Sequence, residues 1–199
     1  MGHIKSFVYY MSLCIAILLL AACQRPPKTM APSVYTVESV AQLTHFRVSG
    51  KVGFRQGDTG GQASFVWQQS GRDFTLQLFN PFGSEEAYLA YRGGIYHFKM
   101  PNKAEETTQN IEPLFRESLG WSAPIAHLSY WIRGLPLPNT PKQMSQTSDG
   151  ARVLQQSQWT ITYLQMTQVN QLSVPKSMLL TRSDLSEGAV RLKMILHWD

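Results

Sequence analysis

The chain has 199 residues, of which 43% are hydrophobic and 16% are charged, and its formal net charge is +5. This is the composition of an ordinary globular protein, and it excludes collagen-like, coiled-coil, polytopic membrane and wholly disordered proteins. The basic residues are scattered singly, so charge makes only a weak case for nucleic acid, and none is expected as a partner. The two cysteines, Cys14 and Cys23, both lie near the N-terminus and cannot build a disulfide framework or a zinc cluster.

The N-terminal segment is typical of a secretory signal. A short start with one positive charge precedes an uncharged apolar stretch, residues 7–20, which has the length of a signal-peptide core and is short for a transmembrane helix. The stretch leads into Leu-Ala-Ala-Cys at residues 20–23, which resembles the lipobox of bacterial lipoproteins. On that resemblance, residues 1–22 are a lipoprotein signal peptide and Cys23 becomes the lipidated N-terminus. A plain signal peptide cut after Ala22 is the alternative.

The next segment, residues 23–34, is predicted to be a lipidated flexible tether. It contains Pro26, Pro27 and Pro32, which favour an extended chain without a core of its own. Gln24 follows the cysteine, whereas an acidic residue there favours inner-membrane retention in Gram-negative lipoproteins generally. We therefore expect a lipid-anchored protein on the periplasmic face of the outer membrane.

From residue 35 onward the pattern indicates one β-rich domain, residues 35–199. Apolar residues at helical spacing predict a short helix over residues 37–43. Apolar and polar residues then alternate, as they do in half-buried strands joined by short turns into an antiparallel meander. Strands are predicted over residues 46–54, 63–67, 74–78, 87–91 and 95–100.

The middle of the chain predicts two helices before strands return. The first covers residues 111–119 and ends at Gly120, and the second begins at about Ser122 with Pro124 in its first turn. Further strands are predicted over residues 153–156, 159–166, 176–182 and 190–198. The residues themselves therefore indicate a mainly β fold with short helices in a single domain.

The sequence contains no recognisable arrangement of catalytic residues. No HExxH, GxSxG, P-loop or GxGxxG motif occurs, and the histidines beyond the tether are far apart in sequence. The adjacent acids Glu85 and Glu86 would point to opposite sides of a strand, so solvated charge is a better interpretation than an acid–base pair. We expect no enzyme, no cofactor and no metal site.

A stripe of large apolar side chains runs along consecutive predicted strands. It consists of Phe54, Phe65, Trp67, Phe74, Leu76, Leu78 and Leu89. One interpretation is a dry hydrophobic core, and the other is the wall of a partly open cavity for an apolar ligand. Periodicity does not separate the two, because both demand the same alternation.

Four stretches, in this order and at about this spacing, resemble the outer-membrane lipoprotein receptor LolB family. They are residues 65–69 (FVWQQ), 80–84 (NPFGS), 131–136 (WIRGLP) and 191–194 (RLKM). With the lipobox, the resemblance covers essentially the whole chain. It implies an open, unclosed antiparallel β-barrel of about eleven strands, with helices covering the concave side and the apolar stripe as candidate lining of an acyl cavity.

The resemblance also implies a function. A LolB-like protein accepts acylated lipoproteins from a periplasmic LolA-like carrier in a hydrophobic cavity and inserts them into the outer membrane. The expected partners are this carrier, client lipoproteins with their acyl chains, and outer-membrane lipid, and the expected state is a monomer. Two alternatives are a protein of the same fold that binds a free lipid or senses envelope stress, and a structural subunit of an envelope complex.

A loop carries the sharpest residue-level prediction. Asn80, Pro81 and Gly83 are turn formers, so Phe82 is expected at the tip of a loop that leaves a strand. The resemblance makes this the membrane insertion loop, although the family more often carries Leu where this chain has Phe82. The alternative is that Phe82 packs back onto Phe79 or the sheet.

Overall fold

The structure is a computed structural model, and it describes residues 40–183 and 188–199. The predicted signal peptide and tether, with Cys23, lie outside these residues. Most of the predicted first helix also lies outside them. Its described residues Val40 and Ala41 are helical.

The described residues form one antiparallel sheet of eleven strands, in the spatial order β6-β5-β4-β3-β2-β1-β11-β10-β9-β8-β7. The strands are β1 (His45–Gln56), β2 (Thr59–Ser70), β3 (Asp73–Phe79), β4 (Glu85–Arg92), β5 (Ile95–Lys99), β6 (Glu106–Thr108), β7 (Lys142–Gln146), β8 (Arg152–Gln156), β9 (Trp159–Val169), β10 (Leu172–Arg182) and β11 (Val190–Trp198). Strands β1 and β11 pair at the centre of the sheet. Strands β6 and β7 lie at its two edges and do not pair with each other, so the barrel is open.

Alternation of side chains explains why these segments are strands with one buried face. In β11, Val190, Leu192, Met194 and Leu196 are buried, while the residues between them are exposed. The predicted nine strands are all present, and the mainly β, open-barrel fold class is confirmed. Strand β10 begins four residues earlier than predicted, because the ladder continues past Pro175 through a shift in register.

The two edge strands escaped the analysis of individual segments. Strand β6 has three residues, and none of them is buried. Strand β7 has five residues, all exposed, so its sequence contains no alternation to detect. Each is held as a strand by the backbone hydrogen bonds of a single neighbour, β5 or β8.

Two helices connect the edge strands and cover the buried face of the sheet. Helix α1 (Ile111–Leu119) ends as predicted at Gly120, whose φ of +77° places it in the left-handed conformation and whose N–H donates to the Arg116 carbonyl. Helix α2 (Ile125–Trp131) begins later than predicted, because Pro124 is its N-cap residue and not part of its first turn. Buried residues of both helices join those of the strands in one core.

Buried polar side chains fasten the segment that follows α2 to the sheet. Gln156 of β8 accepts hydrogen bonds from the Trp131 indole N–H and the Leu137 N–H, and donates to the carbonyls of Leu137 and Thr140. Arg133 donates to the carbonyls of Ser129 and Leu43. Residues 132–140, which we call the strap, are therefore fixed to the sheet. Within the described parts of the chain, no helix is long and apolar enough to cross a membrane.

Candidate functional site

A small apolar cavity lies between the sheet and the helices. Its volume is about 20 Å³, and every residue that lines it is apolar. That is room for about one water molecule, far less than an acyl chain needs. The described interior is therefore closely packed, and a ligand chain would have to displace side chains to enter it.

The stripe of seven predicted cavity residues divides between three places. Phe65, Trp67, Leu76 and Leu78 line the interior cavity. Phe54 lies at the rim of the sheet, outside that cavity. Phe74 and Leu89 are buried, but they line neither the interior cavity nor the space at the rim. All seven share the buried face of the sheet, but alternation alone does not tell which of them border the same space.

The helices and the connection between them supply cavity residues that were not among the predicted ones. They are Phe115, Trp121, Ala123, Ile125, Leu128 and Ile132, which join Val52, Leu192 and Met194 from the strands. The spacing of Leu128, Trp131 and Ile132 in the sequence indicates a buried helix face, but it does not tell which space that face borders. Trp121 follows the helix-ending Gly120, so no periodicity pointed to it.

Trp67 is a core tryptophan with its polar atom satisfied. Its side chain is completely buried and stacks on Phe74 at a ring-centroid distance of 4.1 Å. Its indole N–H donates to Gln69 at 2.9 Å, and the Gln69 amide donates in turn to the carbonyls of Gly71 and Asp73. Trp67 thus contributes to the wall of the cavity from a fixed position.

A larger groove of about 680 Å³ opens at the rim of the sheet. Its apolar surface comes from Phe54, Leu119, Trp121, Met100 and Pro101, and Pro81 lines it beside the predicted insertion loop. The rings of Phe54 and Trp121 stack with centroids 4.5 Å apart and planes 9° apart. Because Trp121 also lines the interior cavity, the groove and the cavity are neighbours.

Glu85 and Glu86, the adjacent acids at the start of β4, both line this groove. The ladder is irregular here, since Phe79 pairs with Glu85 whereas Leu78 pairs with Ala87. The extra residue on β4 breaks the alternation locally. Glu85 also accepts a hydrogen bond from Gln77 at 3.0 Å. The two carboxylates give the groove one acidic wall.

The loop after β3 is held rigidly and presents an aromatic side chain to solvent. The Asn80 side-chain oxygen accepts hydrogen bonds from the backbone N–H groups of Phe82 at 2.9 Å and Ser84 at 3.0 Å. Gly83 has a φ of +85°, a conformation that glycine adopts without strain. The Phe82 side chain is 93% exposed, so it does not pack onto Phe79 or the sheet.

The titratable residues are dispersed over the described structure. No group of three or more His, Cys, Asp or Glu side chains in residues 40–183 and 188–199 could hold a metal ion. His97 pairs with Glu105 at 3.0 Å. Burial, with the positive charge of Arg182 nearby, lowers the pKa of His127, and burial raises the pKa of Glu112.

An open antiparallel sheet with helices on its apolar face defines the fold class of this chain. Two solved structures share this fold at 10% sequence identity. One is a LolA-superfamily protein from Nitrosomonas europaea, with a TM-score of 0.51 over 81% of this chain and 91% of that chain. The other is a DUF1329-family protein from Desulfovibrio piger, with a TM-score of 0.54 over 80% and 86%.

Sequence comparison identifies the family within this class. The model of the outer membrane lipoprotein LolB family matches residues 44–198, and the chain belongs to this family. The outer-membrane lipoprotein LolB of a Marinomonas species is 32% identical over 94% of this chain and 96% of its own length. The protein of the same name from Cellvibrio japonicus is 31% identical over 77% and 80%.

Proposed function

We propose that this chain is an outer-membrane lipoprotein that accepts acylated lipoproteins from a periplasmic LolA-like carrier and inserts them into the outer membrane, without catalysing a covalent reaction. In this proposal residues 1–22 are the signal peptide, residues 23–34 are the tether lipidated at Cys23, and residues 35–199 are the lipoprotein-binding domain. The family, the open sheet and the apolar interior support this assignment.

The physical task is to keep acyl chains out of water. Exposure of a chain of about sixteen carbons to water costs on the order of 12 kcal/mol. The chain carries no nucleotide-binding motif. Transfer therefore proceeds downhill, from the carrier to this protein and from this protein to the bilayer, with about 1.4 kcal/mol for each tenfold difference in affinity.

The observation that carries the proposal is the exposed Phe82. Leaving a large aromatic side chain in water forgoes about 1.5–3 kcal/mol of burial, which a bilayer surface can supply. The Asn80 hydrogen bonds fix the loop so that this ring stays outside the fold. Pro81 of the same loop lines the rim groove, so a lipid leaving the groove is close to the membrane contact.

Substitution of Phe82 tests the insertion step separately from folding and acceptance. Phe82→Glu should leave the free energy of unfolding and acceptance from the carrier unchanged, because the side chain makes no packing contact. It should slow delivery to liposomes about tenfold to a hundredfold, which is the rate equivalent of the lost burial. The variant should accumulate in the loaded state, while Phe82→Leu should work nearly as the wild type does.

A matched control is available at the opposite end of β4. Ile95 begins β5, directly after the hairpin turn that ends β4, and is 41% exposed. Ile95→Glu therefore introduces the same charge at an exposed apolar position, at the end of β4 that is remote from the Phe82 loop. Ile95→Glu should deliver lipoprotein normally. If Phe82→Glu delivers at the wild-type rate, or if Ile95→Glu is equally slow, this loop is not the insertion device.

A further inference from the structure

The structure contains two spaces of very different size that share one residue. The interior cavity measures about 20 Å³ and the rim groove about 680 Å³, and Trp121 borders both. The groove is open as it stands, whereas the interior must widen before an acyl chain can enter it. Trp121 therefore lies at a boundary between the groove and the interior.

Two stacked aromatic rings form this boundary. Phe54, from β1, and Trp121, from the connection between the helices, are 4.5 Å apart and nearly parallel. Gly61 of the neighbouring strand makes room for the pair, since a Cβ atom there would lie 2.7 Å from Cζ of Phe54. The edge of Phe115 meets Trp121 at 5.0 Å. We call Phe54 and Trp121 the aromatic gate.

The cover is costlier to open at α2 and at the strap. Lifting α2 or the strap would separate the Trp131 indole N–H from Gln156, at 3.2 Å, and Arg133 from the Leu43 carbonyl, at 3.1 Å. Both separations leave buried polar groups without their partners, which is strongly unfavourable. Parting Phe54 from Trp121 breaks contacts between apolar ring faces, and the methylene groups of an acyl chain can replace those contacts.

We infer that an acyl chain enters the interior by parting the rings of Phe54 and Trp121 at the rim groove, so that these two residues control the rate of lipid uptake and release. The inference rests on the proposed function and adds the residues through which the ligand passes. It assigns Phe54 to the passage into the cavity and not to the cavity wall.

The test measures the rates at which a fluorescent fatty acid binds and leaves the chain from residue 23 onward carrying Cys23→Ala. Phe54→Leu retains an apolar side chain but removes the ring stack. It should accelerate both association and dissociation about threefold to tenfold, which matches the strength of one aromatic pair, with little change in affinity. Gly61→Ala keeps both rings but displaces Phe54, and it should accelerate the same two rates.

Phe46→Leu is the matched control. Phe46 lies on the same strand and the same face, near its other end, and contacts Trp198 at a ring-centroid distance of 5.3 Å. It should leave both rates unchanged. The inference is overturned if Phe54→Leu and Gly61→Ala bind at the wild-type rates, or if Phe46→Leu accelerates binding as much as they do. If the wild type binds no fatty acid, the proposed function itself fails, which is a distinct result.

Discussion

A single side chain, Asn80, holds the exposed loop in shape. Its side-chain oxygen accepts hydrogen bonds from the backbone N–H groups of Phe82 and Ser84. Its backbone N–H donates to the Ser84 carbonyl, and its backbone carbonyl accepts from the Gly83 N–H. Asn80→Ala removes the side-chain acceptor, so the loop should loosen and delivery of lipoprotein to liposomes should slow severalfold with Phe82 intact. Asn80→Asp keeps an acceptor oxygen and should deliver nearly normally. Equal delivery rates for Asn80→Ala and the wild type would show that loop rigidity does not matter.

For single residues, the sequence predicts local backbone conformation better than it predicts which distant residues a side chain contacts. Turn formers on both sides of Phe82 correctly placed it in a loop, because their preferences depend on backbone conformation alone. The ladder irregularity at Glu86 was not predictable, since it involves the partner strand. The gate residue Trp121 was missed for a similar reason, because its neighbour Phe54 is distant in sequence and its own segment has no periodicity.

Among the structural elements, the strap after α2 depends most on one buried side chain. Gln156 is 3% exposed and makes four hydrogen bonds to the strap and to Trp131. Gln156→Ala leaves these groups unpaired and should lower the free energy of unfolding by about 2–4 kcal/mol in urea titration. Gln155 is exposed on the same strand, so Gln155→Ala should change it by less than about 0.5 kcal/mol. Similar losses for the two variants would contradict this account of the strap.

Helix α2 also carries a pH-sensitive residue, His127. Burial, with the positive charge of Arg182 nearby, lowers its pKa below the ordinary value of 6.5, and its ring contacts Trp131 at 5.1 Å. As the pH falls below 6.5, the unfolded chain binds this proton before the folded chain does. The stability that His127 contributes is therefore complete above pH 6.5 and declines as the pH falls toward the lowered pKa.

The corresponding experiment compares urea unfolding at about pH 7.5 and pH 5.5. His127→Gln should lose less stability between these conditions than the wild type loses. His197, exposed on β11, supplies the control, and His197→Gln should behave as the wild type does. Burial raises the pKa of Glu112, so the stability that protonated Glu112 contributes is lost as the pH rises above 4.5. Glu112 is present in all three proteins, so this loss does not affect the comparison. An unchanged pH response in His127→Gln would refute the assignment.

Elements with one buried face were predictable, and elements without one were not. Strands β3 and β11 alternate strictly, because each buries every second side chain. Strands β6 and β7 have no buried residue and exist through backbone pairing with a neighbour. The count of about eleven strands therefore came from the family resemblance and not from periodicity.

For the whole molecule, the proposal places the exposed loop, the rim groove and the packed interior on one path for a lipid. Phe82 stands outside the fold, Pro81 of its loop borders the groove, and Trp121 separates the groove from the cavity. The interior is closely packed, since its cavity measures only about 20 Å³. The apolar side chains of the sheet and helices therefore contact one another, and the protein remains folded before it is loaded.

Transfer from a loaded carrier tests the central claim most directly. A LolA-like carrier holding a radiolabelled lipoprotein is mixed with the chain from residue 23 onward carrying Cys23→Ala, without nucleotide, and the two proteins are separated by affinity tags on each. We expect most of the lipoprotein to move onto this chain, and to leave it when liposomes are added. If the lipoprotein stays on the carrier at every ratio of the two proteins, this chain is not a lipoprotein acceptor.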